Sequence, residues 1–404
     1  MNSNSSENSE ESAAINHVKA LAYGRKAGTL DEYIAMDYIR DTLKKENITT
    51  ELEPFLWVST WALYILFFAL LILFMLFVII ISLFTITRIV FGYILILISL
   101  YFLKQYLVSI LVYRKFDVTQ QIQKSYVSHN IITKIKAKTS KKEKSVVIFC
   151  AHYDSVSINY SERVINSIIL IFFAYLVFCF PINLVPGVAF AFKLFNCTLL
   201  LCFLTFFITI RAKNKSMGSI DNASGVAILI ELSKIFHNNP LNNTDLIFLW
   251  TGVEEMGLFG SKTYCHRNFK ILDKEYNLDK SYIINIDMVG SYIGLIDQIG
   301  IFKKTRLNKS LNDLLEEIAR EKEIPLRKEI KQLSFMSDHT TFQNYIKKYK
   351  RKSQVCWFYS KEDSKIIHTS KDTPDKCFSD NLNGCIEICY FALKKLDSDF
   401  IRNT

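Results

Sequence analysis

GSIDNASGVA, residues Gly218–Ala227, sets one aspartate among small residues directly ahead of an apolar helical run. That arrangement suits a carboxylate presented from a tight turn, although Asp-Asn-x-x-Gly on its own also reads as an ordinary helix N-terminus. The rest of the chain decides between the two. An H-x-D (His152, Asp154) lies upstream, and an E-E pair (Glu254, Glu255) lies downstream. Asp287 follows the pair, and an isolated His368 stands near the C-terminus. Together they supply the carboxylates and imidazoles that a two-metal hydrolase needs.

Outward from Asp221 the pattern is α/β. Val146 to Cys150, Leu246 to Trp250 and Tyr282 to Ile286 are short apolar runs that predict buried strands. A candidate ligand follows each one, and in open α/β sheets the crevice beyond the carboxyl ends of the strands collects active sites. Helices are predicted from Ser12 to Gly24, from Thr29 to Asn47 with Thr29 and Glu32 as a capping box, and over Val226–Phe236. Further helices are predicted over Lys309–Glu321 and Leu382–Leu396, and Ile131 to Ala137 alternates as an exposed strand would. The fold class expected is a mixed central sheet flanked by helices, interrupted by two transmembrane α-hairpins.

The interruption follows from hydropathy. The chain of 404 residues has a mean hydropathy of +0.17, high for an ordinary soluble enzyme of that length. The excess lies in two blocks. Leu56 to Thr87 carries no charge, and after Arg88 the run from Ile89 to Leu103 is again uncharged. Val164 to Ile210 is broken only by Pro181, Pro186-Gly187 and Lys193. About 20 apolar residues cross a bilayer, so each block predicts two spans, four in all. The expected divisions are a disordered tail over 1–11, N-terminal helices over 12–55 and a first hairpin over 56–113. The strands and H-x-D then occupy 114–163, a second hairpin 164–210, and the remainder of the α/β domain 211–404.

Net charge is +10, with basic clusters such as Lys347 to Lys352. No nucleic-acid motif accompanies them, and an anionic bilayer surface is the simpler partner. The nine cysteines form no C-x-x-C and no paired framework, so they are read as buried thiols of a reducing compartment. The Ser/Asn/Glu opening does not resemble a secretory signal peptide.

Two zinc ions about 3.5–4 Å apart need a shared carboxylate and an open position for water. Asp221 is the expected bridge, with His152 and Asp287 completing one site and Glu255 and His368 the other. Asp154 would take the second imidazole N–H of His152. Glu254, beside a ligand but free itself, would be the general base. Isolated histidines such as His17, His237 and His266 read as surface or packing residues, and His339 as structural or as support for the site.

The ordered strings AHYDS (151–155), GSIDNASGVA, TGVEEMGLFGS (251–261), NIDMVG (285–290), SDHTTF (337–342) and HTSKDTPDK (368–376) resemble the di-zinc exopeptidase family of bacterial leucyl aminopeptidases and glutamate carboxypeptidases. The opening RKAGTLDEYIAMDYIRDTL (25–43) is similar to that family's N-terminal helices. The resemblance implies metal ligation by His152, Asp221, Glu255, Asp287 and His368, Glu254 as base, and removal of N-terminal residues from peptides. Two alternatives stand beside it: glutaminyl cyclisation by acyl transfer, and a non-catalytic binding role in a membrane. Arg114, Lys115, Arg163, Arg211, Lys213 and Lys215 flank the apolar blocks, whereas only Arg88 and Lys193 mark their turns. The positive-inside rule then puts the catalytic domain in the cytoplasm.

Overall fold

The computed structural model describes residues 12–58, 60–82, 126–139, 144–160, 162–185, 187–300, 303–331 and 337–402. The elements, in chain order, begin with helices α1 (Ala13–Ala20) and α2 (Leu30–Lys45), strand β1 (Glu51–Trp57) and helix α3 (Thr60–Ser82). Next come β2 (Tyr126–Ile135), β3 (Ser145–His152), α4 (Glu162–Phe178), α5 (Phe190–Thr209) and α6 (Ser224–Asn238). Then follow β4 (Thr244–Thr251), α7 (Phe259–Glu275), β5 (Tyr282–Ile286), β6 (Ile293–Ile299) and β7 (Thr305–Arg306). The chain ends with α8 (Leu311–Glu321), β8 (Leu326–Lys331), α9 (Asp338–Lys348), β9 (Gln354–Phe358) and α10 (Ser379–Arg402). It divides into two compact units, one of residues 1–57, 124–157 and 214–404, the other of 58–123 and 158–213.

The first unit is built on a nine-stranded sheet in the order β1-β2-β4-β3-β5-β9-β6-β8, with β7 paired to β6. β4, β3, β5 and β9 are mutually parallel, and β2 and β1 run antiparallel at one edge. Every residue of β3 and β4 is buried, as expected for parallel strands covered on both faces. Phe149 and Phe248 stack across the β3–β4 pair with centroids 5.1 Å apart. α6 packs on the face they share with Trp250, through Val226, Leu229 and Ile230. The other face is closed by α7 and α9 through Tyr264, Phe269 and Phe342. Each fully buried large side chain contributes roughly 1.5–3 kcal/mol. One close approach fixes α6 on the sheet: a Cβ at Gly225 would lie 2.4 Å from the carbonyl oxygen of Ile286.

Several local expectations change. β2 starts at Tyr126 and is mostly buried rather than exposed, because it is hydrogen-bonded on both sides, to β1 and β4. The capping box on α2 does not form. Glu32 accepts instead from the backbone N–H of Gly28 at 2.6 Å and from the Ser128 hydroxyl at 2.5 Å, while the Thr29 hydroxyl donates to the Lys26 carbonyl. All nine cysteines are free, and Cys179 and Cys202 are exposed rather than buried.

In the second unit, α3 packs against α5 through residues such as Ile72, Ile79, Leu200 and Phe207. Phe68 stacks on Phe207 at 4.2 Å. Among the described residues one helix, Phe190–Thr209, is long and apolar enough to cross a membrane. Val164–Phe178 is apolar but shorter, and Leu66–Ile80 is an apolar stretch within the 23-residue α3. Of the four expected spans, one is matched by such a helix among the described residues. Leu56 and Trp57 belong to β1, and α4 stops short because Pro181 opens a separate 3-10 turn over Phe180–Leu184. A proline disfavours helical geometry in the residue before it. The expected tail over 1–11 and the second arm of the first hairpin, Ile89 to Leu103, lie outside the described residues.

Candidate metal centre

The parallel strands deliver their carboxyl ends to one edge of the sheet. His152 is the last residue of β3, Glu254 and Glu255 follow β4 by three and four positions, and Asp287 directly follows β5. Asp221 arrives from the irregular turn ahead of α6, where the Asp221–Asn222 peptide is cis. His368 comes from the loop before α10. Left-handed backbone gathers here in residues other than glycine: Val253 has φ 58°, Met288 86° and His368 57°. Such conformations cost about 1–3 kcal/mol each and persist where surrounding contacts enforce them.

Two groups of potential ligand atoms result: His152, Asp221 and Asp287, and Asp221, Glu255 and His368. The ligand atoms within each lie within 4.8 Å of one another. Asp221 belongs to both. Its Oδ1 is 3.0 Å from His152 Nε2, and its Oδ2 is 3.2 Å from His368 Nε2. Asp287 Oδ1 lies 3.4 Å from His152 Nε2, and Glu255 Oε2 lies 2.9 Å from His368 Nε2. The five residues named from the sequence as ligands are thus brought together around one carboxylate, and Glu254 is brought to the same edge.

The supporting contacts differ in one respect from expectation. His152 Nδ1 faces the main-chain carbonyl of Asp154 at 3.1 Å, with the Asp154 carboxylate farther away at 3.7 Å. That carboxylate accepts the backbone N–H groups of Glu254 at 2.9 Å and Glu255 at 3.3 Å. It therefore fixes the turn carrying both glutamates. Asp338, at the start of α9, accepts from the Thr251 hydroxyl at 2.5 Å. His339 does not reach the ligands and stacks on Trp357 with centroids 4.2 Å apart. Burial, with the nearby Lys331 cation, lowers its pKa to about 3, so the ring is neutral. His17 packs between Tyr38 and Glu231, as a structural histidine would.

Several residues that support the site lie in the quoted strings but were assigned no role from the sequence. Asp372 accepts the backbone N–H groups of Ile220 at 2.6 Å and Asp221 at 3.2 Å. The Asn222 side chain donates to the Ile286 carbonyl at 2.8 Å and accepts from Met288 N–H at 3.2 Å, tying the Asp221 turn to the end of β5. Arg25 is fully buried and donates to the carbonyls of Tyr153 and Gly218, each at 2.8 Å. The one sequence signal for Asp372 is its place four residues after His368, and only closure of the fold reveals its partners.

Burial opposes charge throughout the centre. Desolvation raises Glu254 well above the ordinary carboxyl range, and Asp287, Asp338 and Glu255 reinforce this against the pull of His152. Glu255 is raised by burial to about 7. Asp221 is the exception: burial would raise it, but hydrogen bonds from His152 and His368 hold it below the ordinary range. Four carboxylates thus converge with two imidazoles, and Glu255 Oε1 is buried with no hydrogen-bond partner. Uncompensated buried anions cost several kcal/mol each. A divalent cation would relieve that cost, and the donor set of imidazole nitrogens and carboxylate oxygens without sulfur suits zinc.

A mixed central sheet flanked by helices, with acids and imidazoles gathered beyond its strand ends, is the zinc aminopeptidase fold. An aminopeptidase from Aneurinibacillus sp. strain AM-1 superposes with a TM-score of 0.56 at 16% identity, covering 95% of this chain and 93% of its own. A Bacillus subtilis zinc aminopeptidase gives 0.52 at 13%, covering 95% and 94%. An Acidobacteriales bacterium glutaminyl cyclase gives 0.53 at 13%, covering 96% and 94%. No curated protein sequence matches the chain. Residues 130–392 match the profile of peptidase family M28. The chain belongs to peptidase family M28.

Proposed function

We propose that the chain is a membrane-attached, zinc-dependent aminopeptidase that binds two metal ions, with Asp221 shared between them. The observation that carries this reading is Asp221 itself, whose two oxygens face separate histidine and carboxylate groups. His152 and Asp287 would hold one ion, Glu255 and His368 the other. When bound, zinc supplies a Lewis acid for the scissile carbonyl and lowers the pKa of a water toward 7. Glu254 would take a proton from the attacking water and return it to the leaving amine. Asp154 keeps Glu254 aimed by holding its backbone N–H.

Membrane attachment is supported by the length and composition of Phe190–Thr209 and by outward Phe190, Leu194, Phe195 and Leu201 on that helix. Because residues 124–157 and 214–404 share one sheet, any crossing within 158–213 is matched by a second one that brings the chain back. The lysine and arginine bias favours a cytoplasmic catalytic unit. Hydrolysis of aminoacyl-amide fluorogens by detergent-purified protein, with metal content assayed in parallel, tests the activity. Two bound zincs with turnover would support it. Bound zinc without amide turnover, but with cyclisation of N-terminal glutamine peptides, would replace it by acyl transfer. No metal after reconstitution would leave a binding role. Digestion of the catalytic unit from outside sealed, right-side-out vesicles would overturn the cytoplasmic assignment.

A further inference from the structure

The candidate ligand segments His152–Asp154 and Gly218–Asp221 lie a few residues inside the points where the chain leaves this unit, after Ser157, and returns to it, at Asn214. Between them sits Arg25. Its side chain is wholly buried, and it makes hydrogen bonds only to main-chain carbonyls. Nε donates to Tyr153 O on the departing segment. Nη2 donates to Gly218 O at 2.8 Å, and Nη1 to Met217 O at 2.7 Å, on the returning one. Nη1 also reaches Leu21 O and Tyr23 O, which anchors the guanidinium to the end of α1.

The backbone on either side repeats the pattern. Arg25 N–H donates to Ser155 Oγ at 2.9 Å, and Ser155 N–H returns to the Arg25 carbonyl at 3.2 Å. Lys26 N–H donates to Asn214 Oδ1, and Asn214 Nδ2 to Asp31, each at 2.8 Å. Packing leaves no slack. A Cβ at Gly218, where φ is +57°, would meet Ser155 Cβ at 2.5 Å and Arg25 Nη2 at 2.8 Å.

We propose that Arg25 is a positioning residue that staples the departing and returning segments together, so that His152 and Asp221 keep their 3.0 Å relationship across the intervening 158–213 excursion. A planar guanidinium fork is suited to such a staple, because it satisfies several carbonyls on different segments at fixed angles. A lysine ammonium on a flexible stem does not. The role rests on the two-metal reading above, because the geometry it protects is that of the candidate ligands. Groups that orient metal ligands typically change affinity by about 10–100-fold when altered.

The test is zinc affinity by chelator competition on the full chain in detergent, wild type against Arg25→Lys. The visible spectrum of the Co(II)-loaded proteins and the unfolding midpoint of the metal-free proteins complete it. The expected result is zinc binding weakened about tenfold or more, with an altered Co(II) spectrum. A role confined to stability would lower the midpoint and leave both metal readouts of the folded protein unchanged, which would overturn the proposal. If Arg25→Lys does not fold, Asn214→Ala removes a half-buried part of the same staple and should still weaken zinc several-fold; wild-type affinity there would overturn it. Wild-type protein that binds no zinc would overturn the two-metal reading and this role with it.

Discussion

The Asp154 carboxylate accepts the backbone N–H of Glu254 at 2.9 Å, across 100 positions of sequence. One oxygen goes to Glu254 and the other to Glu255, so a residue from the end of β3 sets the turn that follows β4. Asp154→Asn keeps the shape but turns one acceptor into a donor facing an N–H. It should lower kcat/KM by about 10–100-fold and weaken zinc comparably. Steady-state kinetics with metal titration checks both, and a change in KM alone would contradict it.

Glu254→Gln removes the proton acceptor while keeping size. A general base contributes about 10²–10⁴-fold, so kcat should fall by that factor with zinc content unchanged. Loss of metal together with activity would instead make Glu254 a ligand.

Metal removal should cost stability, because the buried carboxylates then repel without a cation. Saturating zinc at about 100 times its Kd adds about 2.7 kcal/mol. Chelation should lower the thermal midpoint reversibly, and Asp221→Ala, which takes a member from both ligand groups, should abolish the zinc-dependent part of that shift.

Gly225→Ala tests the seating of α6 on β5, since the added methyl would press on Ile286 O. Overpacking of this kind costs about 1–3 kcal/mol. Denaturant unfolding should show that loss, with metal affinity reduced as well, because the Asn222 contacts to Ile286 and Met288 shift with the helix.

Glu32 supplies a pH dependence away from the metal ligands. Burial raises its pKa from 4.5 to about 7, offset in part by hydrogen bonds from Ser128 and Gly28, and the Asp154 charge adds to the rise. The native state therefore binds more protons than the unfolded state between those values, so stability falls as pH rises from about 4.5 to about 7. Glu32→Gln should flatten that part of the profile. Thermal midpoints at pH 5 and pH 8 measure it: the difference between wild type and variant should move in the variant's favour at the higher pH.

The apolar runs Val146–Cys150, Leu246–Trp250 and Tyr282–Ile286 were legible as strands because a doubly covered parallel strand must be apolar throughout. The acids and the imidazole at their ends were legible for the same reason, since a polar residue terminating such a run has to face an opening. The apolar blocks were legible as composition, and among the described residues one helix, Phe190–Thr209, has the length of a span. Hydropathy counts residues, whereas the length of a helix also depends on where a proline stops it, as Pro181 does beyond α4. The Thr29–Glu32 pattern misled because Glu32 found better donors in Gly28 and Ser128, the latter 96 positions away.

Residue type and local hydrophobic period were enough to settle the set of chemical groups and their order along the strands. The partners of Arg25, Asp372, Asn222 and Asp154 came only with the tertiary structure. Nothing in a buried arginine's own neighbours in the chain distinguishes it from a solvated one. Its role arises when folding removes water and brings carbonyls from two distant segments, at Tyr153 and Gly218, within hydrogen-bond reach.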